Sequence, residues 1–232
     1  EDFTLEDIDL STLSITDTWI LNRLNETIAS VTANMDKYEF ALVGNELYSF
    51  IWDDFCSWYI ELSKAGLSSD DETLRRATQS TLVTVLSGIV RMLHPFMPFV
   101  TEEIYLAIPH TQESINLEAW PCAVDAAMSE EEMTAIRQLI TMIEAVRSLK
   151  VDYNLKPSMD IEVIIRDENG KNMPSVSYIN AILQKMCHAT WIDEESAVEM
   201  AVRPILNGTL NVPLAAIINV EEEIEKLSKE IK

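Results

Sequence analysis

The sequence predicts a mainly α fold, in which an antiparallel helix bundle is followed by a small α+β unit and the start of a C-terminal coiled-coil helix. Apolar residues recur at three- and four-residue spacings through most of the first 125 residues, as in helices with one buried face. An alternating apolar stretch and an Asn-Gly pair, which are typical of strands and hairpin turns, follow residue 157. With 232 residues, 47% of them hydrophobic, the chain is long enough to bury a substantial core.

This change of pattern divides the chain into three predicted parts. They are a helical bundle over residues 1–125, a small α+β subdomain over residues 126–217 and the start of a coiled-coil arm over residues 218–232. Helices with one apolar face and short connections bury those faces most simply against one another, which favours a bundle for the first part. Its first helix begins near Thr16 and runs for about five turns.

Three further helices are predicted in the first part. The second helix covers residues 38–64, is the segment richest in aromatic side chains, and is expected to end at Gly66 as a C-terminal cap. The third follows the polar segment 68–73, where Ser or Asp caps it, and is expected to stop or kink at His94-Pro95, because proline removes a helical hydrogen bond. A short fourth helix starts near Pro98.

The second part mixes helix and strand signals. Ser129 and Glu132 have the spacing of a capping box, which predicts a helix start. A strand is predicted over residues 161–165, where apolar and polar residues alternate imperfectly, and a helix is predicted over residues 176–186. Two short strands flank the Asn-Gly pair at residues 207–208, a hairpin turn in which both residues tolerate positive φ.

The third part carries the beginning of a heptad pattern, with Glu and Lys between the apolar positions. The apolar positions are Val220, Ile224, Leu227 and Ile231. Because fewer than two heptads are present, a terminal surface helix and the onset of a longer coiled coil both fit this pattern.

The chain is strongly acidic, with a formal net charge of −22 at pH 7. Residues 1–125 carry 6 basic and 21 acidic side chains, whereas residues 126–232 carry 11 and 18. Contacts to nucleic-acid phosphates depend on Lys and Arg, so this charge disfavours broad nucleic-acid binding and confines any RNA contact to local basic spots.

The three cysteines and three histidines are scattered, without the spacing of a metal site or of a disulfide framework. Reduced thiols in a cytoplasmic protein are therefore expected, and a metal site is not. The chain has no apolar run of roughly 18 residues and no basic segment before an apolar run, so neither a membrane span nor a secretion signal is predicted.

The search for catalytic and phosphate-binding motifs finds none, and the chain has only five glycines from which a phosphate loop could be built. The acid pair Asp53-Asp54 cannot converge on one substrate atom, because neighbouring residues on a helix point about 100° apart. Cys56 has no His close in sequence, which favours an inert thiol over a nucleophile. We therefore expect no catalytic residue and no cofactor in this chain.

Four motifs, in order along the chain, resemble the anticodon-binding helical domain of valyl-tRNA synthetases, a family of class I aminoacyl-tRNA synthetases. They are DTWILNRLNETI (17–28), FIWDDFCSWYIELSK (50–64), LHPFMPFVTEEIY (93–105) and ESINLEAWP (113–121). The first and third have looser counterparts in isoleucyl and leucyl enzymes, whereas FCSWYIELSK and LHPFMPFVTEE resemble the valyl branch more closely. Family members often have Asp-Arg-Trp where this chain has Thr18 in place of the arginine.

The resemblance continues through IRQLITMIEAVRSLKVDYNL (136–155) and VPLAAIINVEEEIEKLSKEI (212–231), so it covers essentially the whole chain. It implies that a catalytic domain, which uses ATP, and an editing domain would precede Glu1, and that most of a coiled-coil arm would follow Lys232. The chain would then be an inactive fragment of a valine–tRNA ligase. The implied partners are tRNA(Val) and the catalytic domain of the same enzyme, with neither DNA nor a membrane among them.

Within this resemblance, one stripe of the second predicted helix is the expected contact with the anticodon. Its members share a helical face at three- and four-residue spacing and are Asp53, Cys56, Ile60 and Lys64. Analogy with the family places Cys56 and Ile60 near the anticodon, where small apolar groups beside a lysine suit unstacked bases. Because Cys and Ile are usually buried, a plain core role for both residues fits equally well.

Contacts to tRNA phosphates are expected from Asn22 and Arg23 on the first helix, from Arg147 and Lys150 on one face of a later helix, and from Lys156 in the following turn. Each of these charges is also consistent with an ordinary solvated side chain. The larger apolar residues in and next to the motifs 50–64 and 93–105 are predicted to pack in the protein and not to bind a ligand. These are Phe55, Trp58, Tyr59, Met92, Phe96, Met97 and Phe99.

The motifs favour a module that recognises the anticodon stem-loop and positions tRNA for aminoacylation elsewhere. The alternative is an acidic helical domain that binds another protein and receives a partner helix on an apolar stripe. That alternative predicts an exposed apolar groove without flanking Arg or Lys.

Overall fold

The structure, a computed structural model, describes residue 4, residues 9–193 and residues 199–214. Within these ranges the protein is mainly helical, with a small mixed four-stranded sheet. The chain forms two compact units, residues 1–133 and 134–232. The predicted start of a coiled coil falls outside the described residues.

The first unit consists of consecutive helices that pack on one another. They are α1 (Ile15–Asp36), α2 (Phe40–Ser49), a π-helical segment (Phe50–Tyr59), α3 (Ile60–Leu67), α4 (Glu72–Leu93) and α5 (Pro98–Ala107). Helix α1 packs against α2, the π segment and α4, while α4 packs against α3 and α5. The four helices predicted for this part are confirmed, although the second predicted helix is divided into α2, the π segment and α3.

Helix α1 begins with a capping box that the sequence interpretation did not include. The Ser14 hydroxyl accepts from the Asp17 amide at 3.1 Å, and the Ser14 amide donates to the Asp17 carboxylate at 3.2 Å. The same carboxylate is fully buried and accepts from the hydroxyls of Tyr59 at 2.6 Å and Thr78 at 3.0 Å. One side chain thus joins α1, the π segment and α4.

The π segment explains which aromatic residues enter the core. Phe50, Phe55 and Tyr59 are buried, at spacings of five and four residues. In an α-helix, residues five apart point about 140° away from each other, so Phe50 and Phe55 would not share a face. Winding with i→i+5 hydrogen bonds, seen from the Ile60 amide to the Phe55 carbonyl, brings them together. Trp58, predicted as core, is only half-buried.

Gly66 does not have the capping role that was predicted for it. Helix α3 continues to Leu67, and an added Cβ on Gly66 would lie 2.3 Å from the Thr78 hydroxyl oxygen. The glycine is therefore required for close approach of α3 to α4. The predicted cap of α4 is confirmed, since the Asp71 carboxylate accepts from the amides of Thr73 and Leu74 at 2.9 and 3.3 Å.

The second unit places helices beside a small sheet. Its elements are most of α6 (Glu130–Asp152), β1 (Ile161–Asp167), α7 (Ser177–Cys187), β2 (Ala189–Trp191), β3 (Met200–Ile205) and β4 (Gly208–Pro213). The strand order is β2-β1-β4-β3, with β1 and β2 parallel and the other pairs antiparallel. The capping box at Ser129 and Glu132 is confirmed, with bonds of 2.9 and 3.2 Å.

Strand β1 lies inside this sheet, which accounts for its imperfect alternation. Val163, Ile164 and Ile165 are all buried, so both faces of the strand are covered. The hairpin between β3 and β4 is confirmed, but its turn differs from the one expected. Asn207 has φ 58°, whereas Gly208 is needed because a Cβ there would lie 2.1 Å from the Arg166 carbonyl oxygen.

Candidate functional site

The stripe predicted as the anticodon contact is exposed to solvent. Cys56 and Lys64 are exposed, Asp53 is exposed and accepts from the Ser49 hydroxyl at 3.0 Å, and Ile60 keeps 38% of its surface accessible. The alternative that Cys56 and Ile60 are core residues is therefore wrong. The stripe presents a thiol and a branched apolar side chain, with the ammonium of Lys64 one turn further along α3.

The stripe begins on the π segment with Asp53 and Cys56 and continues on α3 with Ile60 and Lys64, so it crosses a change in helical winding. The Ser57 hydroxyl donates to the Trp52 carbonyl five residues earlier at 2.7 Å, which satisfies a carbonyl in the widened turn. Short π-helical insertions within α-helices occur frequently at functional sites. Buried Phe55 and Tyr59 hold the opposite side of the segment in the core, so the stripe is presented by a fixed backbone.

Arg23, a predicted phosphate contact, is engaged within the protein. Its guanidinium forms ion pairs with Glu26 and, at 3.0 Å, with Asp54 on the π segment. Burial raises the pKa of Asp54, and the adjacent Arg23 guanidinium opposes that effect. The charge of Arg23 is thus largely balanced by two carboxylates, while the neighbouring Asn22 is half-buried on α1.

Lys64 also has a carboxylate partner, although it remains exposed. Its ammonium pairs with Glu61 one turn earlier on α3. An exposed pair of this kind contributes little to stability and exchanges readily with solvent or another anion. Lys64 therefore retains a positive charge that an RNA phosphate could approach.

The three predicted phosphate contacts in the second unit differ in their exposure to solvent. Arg147 and Lys156 are exposed. Lys150 keeps only 4% of its surface accessible, and its ammonium donates to the carbonyls of Pro157, Met159 and Cys187 at 2.5 to 2.9 Å. Because an ammonium has three donors, Lys150 has none left for a phosphate, and the expected phosphate contact is not supported for this residue.

An apolar groove that the sequence interpretation missed lies in the first unit. It has a volume of about 390 Å³ and an almost entirely apolar lining. The lining residues are Gly44, Leu47, Tyr48, Ile51, Trp52, Leu93, Phe96 and Met97. Tyr48 and Trp52 stack along its edge, with ring centroids 6.4 Å apart and planes at 15°.

The packing role predicted for Met92, Phe96, Met97 and Phe99 is correct for only one of them. Met92 is buried as expected, but Phe96, Met97 and Phe99 are exposed. A sequence feature that indicates exposed aromatic residues at this groove is the aromatic content of residues 38–64, which is larger than one helix face can bury.

Comparison with known proteins establishes the family. Residues 17–165 match the model of the anticodon-binding domain of tRNA ligases. The chain belongs to this family. It is also 42% identical over 232 residues to the valine–tRNA ligases of Staphylococcus aureus strains JH9 and Newman, which confirms the resemblance to the valyl branch.

The chain is much shorter than those valine–tRNA ligases. The match covers 98% of the chain and 26% of each S. aureus ligase, so the chain spans about a quarter of their length. The matched segment 17–165 includes both the exposed stripe and the exposed cations Arg147 and Lys156.

The described residues contain neither a metal-binding group nor a helix that could span a membrane. Among residues 9–193 and 199–214, no three His, Cys, Asp or Glu side chains are grouped so that they could hold a metal ion. Within the same ranges, the helices are too short or too polar to cross a bilayer. The arrangement that remains is a set of exposed side chains suited to binding.

Proposed function

We propose that this chain recognises the anticodon stem-loop of tRNA(Val) within a cytoplasmic valine–tRNA ligase. In this proposal it positions the tRNA for ATP-dependent aminoacylation by a catalytic domain of the same enzyme. In the same proposal, the helices of the first unit form an antiparallel bundle. Support comes from the family match and from relatives that are named valine–tRNA ligase.

The exposure of Cys56 and Ile60 is the observation that carries this proposal. Both side chain types are usually buried, yet Cys56 near the end of the π segment and Ile60 at the start of α3 are exposed. Unstacked bases of a single-stranded loop are recognised by apolar contact and by their edges. Ile60 and Cys56 provide the apolar contact, and Lys64 provides charge for the adjacent backbone.

The charges of the chain predict that binding is weak and depends steeply on salt. The chain carries a net charge of −22, which repels the phosphate backbone. Attraction comes from a few exposed cations, namely Lys64 in the first unit and Arg147 and Lys156 in the second. Arg23 contributes only if phosphate displaces one of its two carboxylate partners, and Asn22 contributes an uncharged contact beside it.

The test is fluorescence anisotropy of the chain with tRNA(Val) and with a non-cognate tRNA at low and moderate salt. Ile60→Asp is compared with Leu117→Asp, which makes the same chemical change at another exposed apolar position of the first unit. We expect Ile60→Asp to remove the preference for tRNA(Val) and Leu117→Asp to retain it, with both folds intact by circular dichroism. Equal preferences in all three proteins, or the same loss in both variants, would contradict the proposal.

The apolar groove favours a second function, the docking of a helix from another protein segment. All eight lining residues are uncharged, and residues 40–59, which supply most of them, contain acids but no Lys or Arg. This is the pattern that the protein-binding alternative predicted. A helix with an apolar stripe and basic flanks matches both the lining and the acidic surroundings.

This second function is tested with a labelled amphipathic helix of Leu and Lys. Trp52→Glu should abolish binding of that peptide because it places a charge in the groove, whereas Phe99→Glu, outside the lining, should leave it unchanged. Excess tRNA should not compete. Competition by tRNA, or equal effects of both variants, would contradict docking at the groove.

A further inference from the structure

A second cavity lies within the second unit, at the C-terminal end of α6. It has a volume of about 290 Å³ and is enclosed by α6, the turn that follows it and the last residues of α7. Val151, Leu155, Pro157 and Met186 give it apolar walls. Val151 keeps 74% of its surface accessible, so the cavity opens to solvent beside an apolar side chain at the end of a helix.

The walls of this cavity are held in place by backbone geometry. Helix α6 ends in a Schellman motif, with Asn154 at φ 53°, the Leu155 amide bonded to the Lys150 carbonyl at 2.8 Å, and the Asn154 amide bonded to the Val151 carbonyl at 3.0 Å. This turn folds Leu155 and Pro157 back over the last turn of α6. The cavity is therefore formed before any ligand arrives.

Lys150 fixes the base of the same cavity. Its ammonium joins the turn, through the carbonyls of Pro157 and Met159, to the C-terminal carbonyl of Cys187 on α7. A cation at this helix end is also favoured by the helix dipole. Burial raises the pKa of the Cys187 thiol to about 11, so the cavity base presents a neutral sulfur at physiological pH.

Arg147 lines the cavity, and the exposed Lys156 adjoins its lining in the sequence, in an otherwise acidic chain. Arg147 lies one turn before Val151 on α6, and Lys156 lies between the wall residues Leu155 and Pro157. Two nearby acids are already engaged. Asp152 pairs with Arg203 at 2.7 Å, and Asp160 lies 3.5 Å from His188 and accepts from Gln184 at 3.0 Å.

We propose that this cavity binds a single unstacked nucleotide of RNA, with the base against the apolar walls and the flanking phosphate at Arg147 and Lys156. The proposal rests on the proposed tRNA-binding function and adds a contact site to it. A volume of about 290 Å³ suits one small ligand group and is at the lower limit of ligand pockets. The pairing of an apolar recess with these two cations matches a group that is apolar on one side and anionic on the other.

The site contacts the base by stacking and shape, not by reading its edge. The walls offer apolar surface, and the guanidinium plane of Arg147 is a surface on which bases stack. Such contacts tolerate any base. The site therefore raises the affinity for tRNA without contributing to the discrimination that Ile60 provides.

The experiment measures anisotropy with tRNA(Val) and a non-cognate tRNA for the wild-type chain, Val151→Asp and Val202→Asp. Val202 is an exposed valine of the same unit outside the cavity, so it is a matched control. We expect Val151→Asp to weaken binding of both tRNAs about tenfold, because its carboxylate repels the flanking phosphate and replaces apolar contact with the base. Val202→Asp should bind like the wild type.

A second variant and the Ile60→Asp protein keep the outcomes distinguishable. Lys156→Glu, an exposed charge reversal, should also weaken both tRNAs and should do so less at high salt. If Val151→Asp and Lys156→Glu bind like the wild type while Ile60→Asp loses the cognate preference, the cavity is not a nucleotide site and the proposed function stands. If the wild type shows no cognate preference but Val151→Asp still weakens RNA binding, the anticodon function fails and the cavity proposal stands.

Discussion

The carboxylate of Asp17 shows how a single polar residue organises the first unit. It is fully buried and accepts hydrogen bonds from Ser14, Tyr59 and Thr78, which belong to three different parts of the chain. A buried carboxylate is tolerated only when its oxygens are satisfied. Its partners therefore fix the relative register of α1, the π segment and α4, and with it the presentation of Cys56 and Ile60.

Removing one of these partners should destabilise the protein measurably. In Tyr59→Phe the ring stays, but the Asp17 carboxylate loses a donor at 2.6 Å. We expect the free energy of unfolding to fall by about 1.5–3 kcal/mol, the usual range for a hydrogen bond to a charged group. Urea unfolding provides the measurement. Tyr48→Phe, at an exposed tyrosine, should change it by less than about 0.5 kcal/mol, and equal effects would show that Asp17 does not depend on Tyr59.

Two helical glycines show how the packing of elements decides the effect of one substitution. An added Cβ on Gly66 meets the buried Thr78 hydroxyl at 2.3 Å, whereas Gly44 has no atom within 4 Å of an added Cβ. Gly66→Ala should lower the free energy of unfolding by about 1–3 kcal/mol because α3 is forced away from α4. Gly44→Ala should raise it by about 0.5–1 kcal/mol, since alanine favours the helix. Thermal or urea unfolding gives both values, and shifts of the same sign would contradict this packing argument.

The loop after α5 is held by an acid whose contribution depends on pH. The Tyr105 hydroxyl donates to Glu118 at 2.5 Å and lowers the pKa of that carboxyl, with smaller opposing and supporting effects from burial and from Thr111. Since the folded pKa lies below the unfolded one, the unfolded state binds more protons as pH falls through this window. The stability that Glu118 provides is present above the unfolded pKa and is lost as pH drops through the folded pKa.

Glu118→Gln should therefore destabilise the protein at about pH 7 and progressively less as pH falls through the lowered folded pKa, below which the wild-type carboxyl is also neutral. The measurement is urea unfolding of both proteins across this pH range. Glu103→Gln, at an exposed acid of α5, serves as the control and should show no such convergence. A difference for Glu118→Gln that stays constant with pH would show that the Tyr105 contact acts through packing alone.

The elements could be predicted from the sequence where local chemistry decides them. Capping by Asp71 and by Ser129 with Glu132, and the stop before Pro95, depend on neighbouring residues and are confirmed. Strand β2 was missed because three residues are too few to show an alternation. The role of Gly66 depends on contact with Thr78 across helices, which no local pattern contains.

The candidate site could likewise be predicted from the sequence only in part. The stripe followed from helical spacing and from family motifs, but those left a core role for Cys56 and Ile60 equally open, and only the structure shows that both are exposed. Lys150 was assigned to phosphate because it lies three residues after Arg147 on one helical face, but the carbonyls of Pro157, Met159 and Cys187 surround its ammonium. The π winding that brings Phe50 and Phe55 together also arises from packing, so the sequence spacing did not reveal it.

At the scale of the whole molecule, net charge and local charge act in opposite directions. With 39 acidic against 17 basic side chains, the chain as a whole disfavours RNA binding, yet the stripe includes the exposed Lys64 and the cavity at the end of α6 is lined by the exposed Arg147. Repulsion spread over the surface is screened by salt at distances beyond about 10 Å, while a direct phosphate contact releases counterions. Under the proposed function, we expect discrimination of the cognate tRNA to depend on apolar contacts at Ile60 and affinity to depend on a small number of cations.

This separation gives a quantitative prediction for salt dependence. The logarithm of the tRNA association constant should fall linearly with the logarithm of the salt concentration, by about 0.7 for each contacted single-stranded phosphate. Lys156→Ala should reduce the steepness by about 0.7 because one phosphate contact is lost. Lys171→Ala, which removes an equally exposed lysine of the same unit outside the cavity, should leave it unchanged. If both substitutions reduce the slope equally, tRNA senses only the total charge of the chain, and Lys156 makes no specific phosphate contact.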